Sequence, residues 1–245
     1  FDEPVQFYSE EVHKLNPVAY YRMTISEDGT TLLDRSGNNL HGRIERGSMT
    51  NPVFTSGRIG ASLRLEGPEK QAYAVVEDYP KAMNNRISVA AWVYANSRPR
   101  YASIAKNWSL NEVGQFHLGL NFDTGELEVQ LREENGDTVF VMDPEALPIG
   151  SWQHVAFVVD GEYARLYRNG KEVAKKPCTT LAIPSYPTLG IGAKITGMKA
   201  VAEMTTTGFW DGLIDELAIF NDALTPRNIR QLHRAVDRGK IIRVQ

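Results

Sequence analysis

The 245-residue chain predicts an all-β fold, a two-layer antiparallel β-sandwich with one short C-terminal helix. Three observations carry that expectation. Short runs rich in β-branched and aromatic residues recur between Gly, Pro, Asn and Asp. One series of three strand-like runs is joined through two residue pairs suited to hairpin turns. Helical periodicity is nearly lacking until the end of the chain. Many short strands without alternating helices favour packed antiparallel layers over an α/β arrangement.

The strand candidates are "SLRLEG" at 62–67, "ISVAAWVYA" at 87–95, "QFHLGLNFD" at 115–123, "ELEVQLRE" at 126–133 and "TVFVMD" at 138–143. Next comes "SWQHVAFVVDGEYARLYRNGKEVAKK" at 151–176, where Asp160-Gly161 and Asn169-Gly170 each suit a tight turn needing positive φ. This reads as a three-stranded antiparallel meander. In "LIDELAIF" at 213–220, simple alternation sends Leu213, Asp215, Leu217 and Ile219 to one face and Ile214, Glu216, Ala218 and Phe220 to the other. Both faces are largely apolar, so the strand is central and covered. The helix is "LTPRNIRQLHRAV": Thr225 caps, Pro226 suits the first turn, and Ile229, Leu232 and Val236 share a face. Asn228 stands where a capping box places Glu. With no linker or low-complexity tract, residues 1–245 read as one domain.

Composition excludes several functions. A formal net charge of −3 with interspersed signs provides no basic field for nucleic acid and no polybasic run for a membrane surface. No apolar run approaches the roughly 20 residues that span a bilayer, so no membrane insertion by this domain is expected. The single cysteine, Cys178, forms no internal disulfide and excludes Cys-rich zinc sites. The opening "FDEPVQFY" suggests a mature product or part of a larger chain.

The order "YYRM…LLDRSGNNLHGRI…GRIGASLRLEG…ISVAAWVYA…SIAKN…GSWQHVAFVVDGEYARLYRNGKEV…LGIG…DGLIDELAIFNDALTPRNIRQL" resembles the concanavalin A-like lectin/glucanase superfamily, in its laminin-G-like jelly-roll branch, over about residues 18–236. The resemblance implies a jelly-roll sandwich serving as a non-catalytic recognition module outside the cytoplasm, in the periplasm, at the cell surface or secreted, with a carbohydrate or protein ligand. It also implies bacterial envelope contexts, including FecR-type transmembrane sensors. Fold transfers more safely than function across such relatives.

A glycoside hydrolase of the laminarinase type is the catalytic alternative. Glu126 and Glu128 in "GELEVQL" share a strand face, as the superfamily's glucanase motif requires, but Gln130 or Leu131 stands where the acid/base carboxyl belongs. The five histidines show no metal-ligand spacing, and His154 reads as a packed strand residue.

For ligand binding the strongest candidate is Trp108, an aromatic in the polar stretch "KNWSLNEVGQ", with Asn107 and Asn111 as hydrogen-bonding neighbours. Trp92, Trp152 and Trp210 read as core residues. Asp215, on a strand covered on both sides, needs a cation or donors. The turn "LLDRSGNNLHG" offers hard oxygen donors suited to a structural Ca²⁺. The resemblance implies the same cation, with carboxylates from Asp34 and Asp215 and carbonyl oxygens from Asn39 and His41. The same residues also compose an ordinary Asx-turn, and backbone N–H groups or an Arg also satisfy Asp215.

Overall fold

The computed structural model describes residues 3–51, 53–108, 114–122, 124–184, 188–196, 201–202 and 208–241. Helix α1 (Glu3–His13) precedes strands β1 (Ala19–Ile25), β2 (Thr31–Asp34), β3 (Gly42–Glu45), β4 (Phe54–Ser56) and β5 (Ala61–Glu66). The single turn α2 (Gly67–Lys70) leads into β6 (Tyr73–Val76), β7 (Ile87–Ala95), β8 (Ser103–Lys106), β9 (Phe116–Leu120), β10 (Glu126–Arg132) and β11 (Thr138–Ala146). The meander follows as β12 (Trp152–Val159), β13 (Tyr163–Arg168) and β14 (Lys171–Pro177). Short strands β15 (Leu189–Ile191), β16 (Ile195–Thr196) and β17 (Val201–Ala202) then lead to β18 (Asp211–Phe220) and helix α3 (Pro226–Ile241).

The fold is all-β and antiparallel. Most of its strands join one sheet in the order β11-β10-β9-β8-β15-β6-β3-β2-β1-β18-β7-β12-β13-β14, with β5 joining β18 and β4 joining β5, while β16 and β17 pair with each other apart from it. The two layers expected from the strand pattern are thus parts of one sheet that wraps around. Short β15 bridges β6 and β8 and makes the ladder continuous. The two ends of the path face one another: Arg168 on β13 holds Asp143 and Glu145 on β11, each at 2.7 Å. Inside the wrap lies the main apolar core, which includes Leu118, Val129, Leu131, Val141, Phe157 and Trp210.

The meander forms as its turn residues dictate. Asn169 and Gly170 adopt φ of 51° and 76°, the left-handed pair a two-residue hairpin needs. At the start of α3, the Asn228 N–H donates to Thr225 Oγ1 while Asn228 Oδ1 accepts from the Thr225 N–H, so Asn completes the capping box in place of Glu.

Helix α1 is an addition to the expected single C-terminal helix. Tyr8 and Val12, one helical turn apart, bury against Tyr20, Trp92 and the apolar face of α3 on the outer side of the sheet. A short helix gains most of its stability from such packing, so its own sequence announces it weakly. Trp92 accordingly lies under the helices, whereas Trp210 lies in the inner core.

Strand β18 is central, as its two apolar faces predict, but its alternation breaks. Asp215 pairs with Trp92 and Ala218 with Ala90, so Glu216 and Leu217 oppose the single residue Ala91. Glu216 takes a φ of 49°, and a β-bulge of this kind shifts the phase of the following side chains. Leu217 and Ile219 therefore face the inner core together with Ile214, while Ala218 and Phe220 face the helices. The expectation that Asp215 and Glu216 point to opposite faces is corrected: both turn to the helix-covered side.

Candidate ligand-binding groove

Strands β8 to β11 present their outer face as two cross-strand rows. Lys106, His117, Gln130 and Phe140 stand opposite one another on successive strands. Gly119, Glu128 and Met142 form the next row. Because side chains alternate with period two, Leu118, Val129, Leu131 and Val141 go to the core and leave these residues outward. Trp108 comes two residues beyond β8, Phe122 follows β9, Tyr101 precedes β8, and Lys194 reaches in from the segment after β15. Together with Lys106, Asn121, Glu128, Gln130 and Phe140 they line a groove of about 380 Å³.

The groove floor is polar and poorly solvated. Glu128 is 3% exposed. Burial pushes its carboxyl up from the usual range, opposed by a 2.5 Å hydrogen bond from Gln130 Nε2 and by the charge of Lys106. His117 is wholly buried, and burial, then the charges of Lys106 and Lys194, hold it well below its ordinary value. It is neutral at neutral pH, so its 3.9 Å approach to Glu128 is a polar contact rather than an ion pair. Gly119 makes room for this arrangement: a Cβ there would stand 2.2 Å from the Ala102 carbonyl oxygen and 2.6 Å from the His117 ring.

Arginines support the aromatic rings. Arg132 lies 5.0 Å from the Trp108 ring centroid. Arg100 lies 3.4 Å from that of Phe122, which also packs on Tyr101 at 4.9 Å. Such cation–π contacts fix ring orientation on a partly solvated surface.

Of the residues singled out from sequence, Trp108 lines the groove. Asn107 does not: it is fully buried, and its Oδ1 accepts from the N–H groups of Gln115 and Phe116, each at 2.9 Å, closing the β8–β9 connection. Asn111 lies outside the described residues. Glu126 accepts from the Thr124 hydroxyl and does not line the groove, leaving Glu128 as the one carboxylate among the described lining residues. The rest of the lining was missed because it comes from three strands, the loops beside them and a distant segment. Its local signal was the outward polar set Glu126, Glu128 and Gln130.

The proposed calcium donors do not fit a cation as a set. Asp34 Oδ1 accepts from the N–H groups of Tyr20 and Ser36, each at 2.9 Å. Its Oδ2 accepts from Ser36 Oγ at 2.7 Å and the Leu40 N–H at 3.0 Å. Four donors occupy the lone pairs a metal would need. His41 Nδ1 accepts from the Asp34 N–H at 3.0 Å, and Asn39 takes a left-handed φ of 57° in what is an Asx-type turn. Asp215 Oδ2 accepts from the Ile59 N–H at 2.9 Å. Among the described residues no group of three or more His, Cys, Asp or Glu is placed to hold a metal ion.

Beneath the helices, Asp215 and Glu216 form a buried carboxyl pair. Glu216 accepts from the Tyr20 hydroxyl and stands 3.4 Å from Arg22 Nε. Burial raises both carboxyls, Glu216 to about 7, and the charge of Glu216 raises Asp215 further. His154 packs against Trp92 at 5.2 Å and lies 3.4 Å from the Tyr8 hydroxyl, with burial pushing it down to about 3. This is a packed residue, as its strand position predicts.

A family model described as the concanavalin A-like lectin/glucanases superfamily, Laminin_G_3, matches residues 68–230. No curated protein matches in sequence. Among solved structures, domain 4 of AbnA, a GH43 extracellular arabinanase from Geobacillus stearothermophilus in complex with arabinotriose, is 22% identical with a TM-score of 0.59, over 89% of this chain and 98% of that one. The binding domain of Paraclostridial Mosquitocidal Protein 1 is 17% identical with a TM-score of 0.64, over 90% of this chain and 52% of that one. The binding domain of Botulinum Neurotoxin DC in complex with SialylT is 17% identical with a TM-score of 0.61, over 90% of this chain and 51% of that one. The chain thus spans about half the length of the toxin domains it matches. At these identities the likeness shows a shared fold. Among the described residues no helix is long and apolar enough to cross a membrane.

Proposed function

Because this chain belongs to the concanavalin A-like lectin/glucanase superfamily, we propose that it is a non-catalytic recognition module that binds carbohydrate in the groove lined by Trp108, Phe122 and Phe140. One observation carries this reading: aromatic rings share an open groove with the planar polar groups of Asn121, Glu128 and Gln130. A sugar's C–H face packs on a ring, and its hydroxyls pair with amide and carboxylate oxygens and amide N–H groups. The arabinotriose and SialylT complexes of its structural neighbours agree with such a ligand. Retaining hydrolysis needs two carboxyls about 5 Å apart, and Glu128 is the one carboxylate among the described residues that line the groove. Hence the laminarinase-type alternative predicts reducing-sugar release from a β-glucan panel, and this reading predicts none.

The test is a glycan array probed with the wild-type chain and with Trp108→Ala. Binding that the substitution abolishes, with the melting temperature kept, supports the module; an array without binding counts against it. A protein ligand is the second reading. Phe140 in the groove and Met142 next to it on β11 are 47% and 43% exposed, and a structural neighbour is a complex with rat synaptotagmin II. We also propose an extracytoplasmic setting, in keeping with the extracellular arabinanase among its neighbours. We propose a FecR-type envelope sensor as one such setting, which the full-length gene sequence tests.

A further inference from the structure

The stacking rings of the groove stand at two separate places along its strands. Trp108 follows the end of β8, and Tyr101 precedes its start. Because β9 runs antiparallel to β8, Phe122, past the end of β9, returns to Tyr101, and the two rings pack at 4.9 Å. Resting on the carbohydrate reading above, we propose that the ligand is a linear polysaccharide bound along its length over β8 to β10, with one sugar unit on Trp108 and another, further along the same chain, on Phe122. A single sugar at the tip of a glycan would engage one of these rings at a time.

Strand β10 measures the separation. The Arg132 guanidinium lies against Trp108, and the Glu126 carbonyl accepts from the N–H of Asn121, the residue before Phe122. Between Arg132 and Glu126 the strand advances about 20 Å at its ordinary rise per residue. That span exceeds a monosaccharide or a disaccharide and needs a chain of several units. Glu128 and Gln130, successive outward residues of β10, place planar polar groups between the rings. Such groups pair with hydroxyls, which every unit of a polysaccharide carries. A chain seated on the first ring brings its own later units to the second, so the second contact forms without a further loss of translational freedom. Affinity therefore steps upward at the length that reaches both rings.

The experiment titrates the whole chain calorimetrically with linear arabino-, xylo-, manno- and laminari-oligosaccharides, from the monosaccharide to the hexasaccharide, and with each parent polymer. Sialyl-lactose in the same panel represents a terminal glycan. In the series that binds, we expect the hexasaccharide to bind at least about tenfold more tightly than the disaccharide, and the parent polymer to bind as well as the hexasaccharide. Trp108→Ala and Phe122→Ala should each bring the hexasaccharide down to the weak level of the disaccharide. Affinity already complete at the monosaccharide or disaccharide, or binding of sialyl-lactose without any linear series, overturns the extended ligand while leaving the carbohydrate reading intact. A length step that survives Phe122→Ala overturns it as well. Failure of every oligosaccharide, every polymer and sialyl-lactose removes both. The length series is read on the wild-type protein, so the inference does not depend on a variant folding.

Discussion

Asp215 and Glu216, adjacent in sequence, present their carboxyl groups to the same helix-covered side of β18, because the bulge at Glu216 cancels the alternation between them. Asp215 meets the N–H of Ile59 and Glu216 the hydroxyl of Tyr20, both residues of the apolar layer beneath α1 and α3. Arg22 is the cation beside Glu216. Two like charges in poorly solvated surroundings favour protonation of the pair.

That pair sets a pH dependence opposite to ordinary acid denaturation. The folded value for Glu216, about 7, lies above the usual 4.5. Its stabilising contribution is therefore complete below about pH 4.5 and is lost as the pH climbs through about 7. Asp215 is shifted in the same direction. Thermal melts should show a melting temperature that rises on acidification from about pH 8 to about pH 5. Glu216→Gln, which keeps a hydrogen-bond acceptor for Tyr20, should flatten that rise. Parallel curves for the two proteins would exclude the pair as its source.

Removing divalent cations should leave the melting temperature unchanged, since a metal bound only by the native state must stabilise it by mass action. Asp34 holds its turn through N–H and O–H donors instead. Asp34→Ala strands several of them and should cost about 3 kcal/mol in urea unfolding. A lower melting temperature in excess chelator would show that the turn does bind a cation.

Gly119→Ala should destabilise the chain by about 2 kcal/mol, the usual scale of overpacking. Its Cβ would fall 2.2 Å from the Ala102 carbonyl oxygen and against the ring of His117. A variant of wild-type stability would mean that β8 and β9 are not this close.

Arg132→Gln should weaken glycan binding by about three- to fivefold through loss of its cation–π contact with Trp108. Titrations that monitor tryptophan fluorescence would measure this. An unchanged affinity would mean that the ring needs no support from Arg132.

Much of the sheet was legible because local chemistry decides it. Asp160-Gly161 and Asn169-Gly170 fix their turns, apolar runs fix the strands between, and Thr225 with Pro226 starts α3. Helix α1 was illegible: Tyr8 and Val12 reveal their value only against α3 and Trp92. Nothing local distinguishes Glu216 as the residue that bulges. Within the groove, Trp108 could be read as an aromatic in a polar segment, whereas Asn107 could not be separated from it without seeing the backbone N–H groups it serves.

By itself, then, the sequence determined the all-β antiparallel fold, the meander and the terminal helix, since turn propensity, alternation and capping act within a few residues. Tertiary structure decided which polar residues share a surface. Lys106, Glu128, Gln130, Phe140 and Lys194 meet through strand register and the path of a distant segment. A register shift of one residue reverses every side chain on a strand, so the composition of such a groove is fixed only when the strands have paired.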